Sequence, residues 1–104
     1  MKHSFTFIMN SDEIGETIEQ FYSETLEDAW KEWAVSATSW IMKELHFCNL
    51  VESDVLTEIL GTEPQLLPDL NSVWLADFCV DFSVEVIQVV VVGNPDPNSF
   101  KMEI

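Results

Sequence analysis

Between Leu26 and Leu45 the apolar residues Leu26, Trp30, Trp33, Ala37, Ile41 and Leu45 recur every three or four positions, with Trp40 beside them. That period is one face of a helix, and Thr25 followed by Asp28 has the capping-box form at its start. A helix over Leu26 to His46 with indoles on its apolar stripe needs a broad apolar surface to pack on, which a sheet face supplies. The 104 residues, 47% of them hydrophobic, suffice for one such core and no second. The chain therefore reads as a single α+β domain, residues 1–104.

The rest of the sequence offers that sheet. Phe5, Phe7 and Met9 alternate with Thr6 and Ile8 from His3 to Met9, the period of a strand. Asn10 to Gly15 is polar and ends on glycine, so it reads as a turn. Thr17 to Ser23 then returns antiparallel to the first strand. A shorter helix runs from Ser53 through Val55, Leu56, Ile59 and Leu60, with Gly61 as its C-cap. Pro64 and Pro68 mark a loop. From Ser72 to Val92 there is neither Gly nor Pro. The even positions Trp74, Ala76, Phe78, Val80, Phe82, Val84 and Val86 are apolar, which favours strand with a break near Asp81 to Ser83. Val84 to Val92 is apolar on both faces apart from Glu85 and Gln88, as central strands are. Gly93 to Asn98 turns the chain, and Phe100, Met102 and Ile104 alternate as a short closing strand. The expectation is a small antiparallel sheet of about four or five strands. It packs on one long Trp-rich helix and a shorter one, in the order β-β-α-α-β-β.

Residues able to carry chemistry are few. Glu44, His46 and Cys48 alternate, with His3 and Cys79 elsewhere. Residues two apart on a helix face different ways, so a helix end with a buried Cys and a surface His is the better reading. Asn10, Asp12 and Gly15 fit the opening of a calcium loop, but Ile14 and Phe21 stand where oxygen ligands belong. Two cysteines, Cys48 and Cys79, are too few for a disulfide framework and suit a reducing cytosol. There is no nucleophile elbow, phosphate-binding glycine loop or dinucleotide fingerprint, and only three glycines in all. No catalytic residue, metal ligand or cofactor is expected. No stretch of 18 apolar residues exists, and the N-terminus runs straight into the alternating segment without a signal-peptide core, so a cytoplasmic protein is expected.

What remains is charge. Nineteen Asp and Glu stand against four Lys and no Arg, a formal net charge of −15. Such a surface excludes gripping phosphate backbones or anionic lipid, and lacking Arg it has no bidentate clamp for them. Asp12, Glu13, Glu16, Glu19, Glu24, Glu27 and Asp28 follow one another without a base, and Glu32 comes just after Lys31. Acids in the first turn of a helix complement its dipole, whereas those in the turn and second strand have no such local reason. Duplex DNA carries one charge per about 1.7 Å of axis, so fifteen charges match roughly 25 Å of duplex. A compact chain of this length is about 30 Å across. Protein and nucleic acid thus carry similar charge per unit length.

In size, charge and lack of other motifs the chain resembles the acidic nucleic-acid mimics among anti-restriction and anti-CRISPR proteins, and acidic immunity proteins of nuclease toxins. No family motif is shared, so no residue roles carry over. The resemblance implies a non-enzymatic inhibitor that occupies the nucleic-acid groove of a basic nucleic-acid-binding protein or nuclease. Asp12, Glu13, Glu16, Glu19, Glu24, Glu27, Asp28 and Glu32 would form the contact, with no direct contact to nucleic acid or membrane. Two other readings stand beside it. One is an accessory module that homo-oligomerises through the Val84–Val92 strand, the closing strand or a tryptophan face, its charge serving solubility. The other is a domain that binds a cation or small molecule.

Overall fold

The computed structural model describes residues 3–12, 15–45, 50–68, 72–79 and 86–94. Strands β1 (His3–Ser11) and β2 (Gly15–Ser23) come first, followed by helices α1 (Leu26–Glu44) and α2 (Glu52–Leu60). Strands β3 (Gln65–Leu66), β4 (Val73–Cys79) and β5 (Val86–Asn94) follow. All pairings are antiparallel, in the spatial order β2-β1-β5-β4-β3. This is the α+β sheet-and-two-helix architecture that the alternation and the tryptophan stripe imply.

The period-2 alternation decides which side chains meet the helices. Phe5, Phe7 and Met9 of β1, Ala76 and Phe78 of β4, and Ile87, Val89 and Val91 of β5 point to one side and are buried. Against them α1 sets Ala29, Trp30, Trp33, Ala34, Ala37 and Ile41, and α2 adds Val55 and Ile59. The Trp33 indole stacks on Phe7 with centroids 5.2 Å apart and an 8° interplanar angle, while Trp30 tilts against both. Burying one such ring contributes roughly 5 kcal/mol of gross hydrophobic stabilisation before chain entropy is deducted. Trp30 also donates its indole N–H to the Ile59 carbonyl at 3.0 Å, which ties the two helices together.

Local chemistry sets the boundaries. Thr25 Oγ1 accepts the Asp28 N–H at 3.1 Å and starts α1 as the capping pattern requires. At the other end of the β1–β2 hairpin Ser11 pairs with Gly15, whose φ of +84° lies in the region that favours glycine. Both strands run further into this turn than the alternation suggests, because hairpin pairing holds Asn10 and Ser11 against Glu16 and Gly15.

Three elements differ from the sequence reading. Gly61 caps α2 with ordinary right-handed angles, φ −81° and ψ −6°, so its left-handed freedom is not used there. The loop between Pro64 and Pro68 contains the two-residue strand β3. Gly93 and Asn94, read as the start of a turn, are the end of β5. The strand needs glycine there, since a Cβ on Gly93 would lie 3.0 Å from the Trp74 ring and 3.3 Å from Phe5. β5 lies between β1 and β4, the interior position expected of so apolar a strand. The expected end of α1 at His46, the break near Asp81 to Ser83 and the closing strand at Phe100 to Ile104 lie outside the described residues.

Candidate functional site

β2 is one edge of the sheet, and α1 folds back along it. Ser36, midway along the helix, donates its hydroxyl to Glu19 Oε2 at 2.6 Å. This contact fixes one flank of α1 against the edge strand. Ser36, Glu32 and Asp28 are successive four-residue steps, so they form one row that winds from that flank onto the outer face of the helix. Along the strand, Glu16 is exposed on the face turned away from the helices, and Glu24 is exposed just past the strand's end. Asp12 is exposed at the hairpin turn.

Among the described residues, Asp12, Glu16, Glu24, Asp28 and Glu32 therefore present exposed acids along one edge of the molecule and the adjoining helix face, with Glu19 inside it. Eight steps of about 3.4 Å make β2 about 27 Å long, so the five exposed acids average roughly one per 5 Å of the edge. A single nucleic-acid strand carries one phosphate per about 3.4 Å. The edge thus carries about two-thirds of the linear charge density of one phosphate backbone.

Not every acid of the sequence run belongs to this edge. Glu27 sits on the neighbouring stripe with Lys31 and Val35, and its Oε1 lies 3.6 Å from Lys31 Nζ. Both side chains are largely exposed, so the pair contributes little. Glu19 differs from the others in a second way. It is half-buried between strand and helix, with one oxygen accepting from Ser36 and the other buried without a partner among the described residues. It serves the packing of α1 on β2 as much as any outside partner. Glu13 lies outside the described residues.

Sequence periodicity did not reveal a second feature. Leu26, Trp30, Val35, Leu56, Leu60 and Trp74 line a half-open groove of about 880 Å³ between the helices, with Glu27, Lys31 and Glu63 among its polar residues. Leu26, Trp30, Leu56 and Leu60 were legible as helix residues and Trp74 as a strand residue. What brings them together is the crossing of α1 and α2 and the approach of β4, which a linear pattern does not carry. The tryptophans divide in the same way. Trp30 and Trp33 fill the core and Trp74 packs on Phe5, while Trp40 is 38% exposed, with Lys43 Nζ 5.6 Å from its ring centroid.

Cys79 is exposed and not in a disulfide, and His46 and Cys48 lie outside the described residues. Among the described residues no group of three or more His, Cys, Asp or Glu is placed to hold a metal ion. No helix among them is long and apolar enough to cross a membrane. The chain matches no protein-family model, no curated protein and no solved structure.

Proposed function

We propose that the protein is a non-enzymatic inhibitor whose acidic β2–α1 edge enters the nucleic-acid groove of a basic protein, with carboxylates in the place of phosphates. The observation that carries this reading is the linear charge density of that edge. Acids merely keeping a chain dissolved have no need to follow one strand and the helix beside it. The edge is also supported on a rigid scaffold: Ser36 holds Glu19, and the Thr25 cap fixes the helix that bears Asp28 and Glu32. Preorganisation of this kind lowers the entropy lost on binding. Opposite charge speeds encounter and makes affinity fall as salt rises. The setting that fits is the cytoplasm, where an anti-restriction, anti-CRISPR or nuclease-immunity protein meets its target.

The test has two arms. The immobilised chain should capture a basic nucleic-acid-binding protein from a host lysate, and excess duplex DNA should prevent the capture. The purified partner should then lose nucleic-acid binding when the chain is added. The variant carrying Glu16→Lys, Glu24→Lys, Asp28→Lys and Glu32→Lys should stay folded, because all four side chains are exposed, and should not inhibit. Glu19 is left out of the set since its reversal would disturb the helix–strand contact. Inhibition by the folded four-lysine variant, or capture indifferent to DNA, would remove the edge as the site.

A further inference from the structure

The face of the sheet turned away from the helices is not covered by any described element, yet much of it is apolar. The registers place Ile18, Ile8, Val90 and Leu75 side by side across four strands, and Gln20, Thr6, Val92 and Val73 in the next row. On one side of these rows stand Tyr22 and Ser4, and on the other Glu16, Asn10, Gln88 and Asp77, with Val86 beyond. Ile18 and Tyr22 are each 62% exposed, Val86 51% and Leu75 41%. A contiguous apolar patch of this kind marks an interaction surface more often than idle exposure. Among the described residues only Glu16 and Asp77 bring charge to it, both in one row.

We propose that this face packs against the same face of a second copy of the chain, forming a two-sheet sandwich with the helices outside. Area is the first reason. Three strands about 27 Å long and one about 20 Å, spaced about 4.8 Å, give a flat footprint of roughly 480 Å² before side-chain relief is added. A standard interface buries about 800 Å² of accessible surface per partner, and a corrugated sheet face approaches that figure. Charge is the second reason. A copy with net charge −15 meets its twin most cheaply where acids are sparse, and among the described residues this face carries only two. The helices form a layer about 10 Å thick. Acids on their outer side therefore stand beyond a Debye length of about 8 Å from the contact.

The two-fold axis is also specified. An axis lying in the interface and crossing the strands reverses strand direction between copies. The Ile18–Ile8–Val90–Leu75 row of one copy then faces the Gln20–Thr6–Val92–Val73 row of the other. Glu16 and Asp77 come against the Tyr22 and Ser4 end instead of against each other. An axis along the strands would stack acid on acid. With this axis β2 lies over β2, so the acidic edges of both copies share one flank of the dimer, and their repulsion makes the dimer tighten as salt rises.

Sedimentation velocity on the full chain tests this over a concentration series, at about 0.1 M and about 0.5 M salt. The expected result is reversible dimerisation that tightens with salt, opposite to the salt dependence of binding to a basic partner. Ile8→Lys with Leu75→Lys should weaken the dimer at least about 100-fold. In case a lysine at half-buried Ile8 disturbs the fold, Ile18→Thr with Leu75→Thr alters two exposed side chains only. It should weaken the dimer about tenfold with unchanged near-ultraviolet circular dichroism. A chain that stays monomeric to roughly 1 mM overturns the proposal, whether residues 95–104 or nothing covers the face. A dimer indifferent to both variants also overturns it, since that dimer uses another surface such as a strand edge.

Discussion

The two sides of the sheet are built from the same strands and differ by one residue in register. Phe7 is buried against Trp33, while its neighbour Ile8 is only half-buried on the other side. On the helix side, aromatic rings fill a closed core whose shape is fixed by stacking and by the Trp30–Ile59 hydrogen bond. On the other side, β-branched residues lie in rows with no described partner. The difference shows that apolar surface among the described strands exceeds what the helices cover, while most of the described acids stand at the β2–α1 edge and on the helices.

Adjacent residues offer the most direct way to break this comparison. Phe7→Ala should cost about 3–5 kcal/mol, because the cavity lies under two indoles that cannot collapse into it. Ile8→Ala, measured by urea unfolding at dilute concentration, should cost about 1 kcal/mol. Equal costs would mean that the outer face is as closed as the inner one. The next contrast uses charge in place of volume. Glu19→Lys should destabilise by about 2–3 kcal/mol, since it removes the acceptor for Ser36 and puts an ammonium between strand and helix. Glu16→Lys, three residues away and exposed, should stay within about 0.5 kcal/mol. Thr25→Ala is the smallest of these and touches neither face. It should cost about 1 kcal/mol through the lost cap, read as a shift in urea midpoint without a change in slope.

Much of this arrangement is legible in the linear sequence, and the exceptions share a cause. The tryptophan stripe, the Thr25 cap and the alternation of Phe5, Phe7 and Met9 are local periodicities, so α1, β1 and the inner face of the sheet could be read directly. β3 is two residues long and carries no period at all. Gly93 looks like a turn residue until the Trp74 ring is placed over it, and only tertiary packing shows that the strand needs it. The acidic run was visible as composition, but its division was not. Glu19 turns inward, Glu27 joins Lys31 on the groove side, and Asp12, Glu16, Glu24, Asp28 and Glu32 follow the edge and the helix beside it, because the return of α1 along β2 sorts them. The apolar character of β5 on both faces correctly placed it in the interior of the sheet. It did not reveal that no described element covers one of those faces.

The indoles of Trp30 and Trp33 have centroids 5.0 Å apart with planes inclined by 44°. At that distance their electronic transitions mix, and the inclination makes the mixed pair optically active. The core thus carries an intrinsic chiroptical reporter that needs no added label. Both rings belong to α1 and pack on Phe7, so the signal should fade when that packing loosens and their orientations average, and persist when only the outer surfaces change. Every variant described above can therefore be sorted, in one spectrum, into those that loosen the interior and those that alter only what the molecule presents to others.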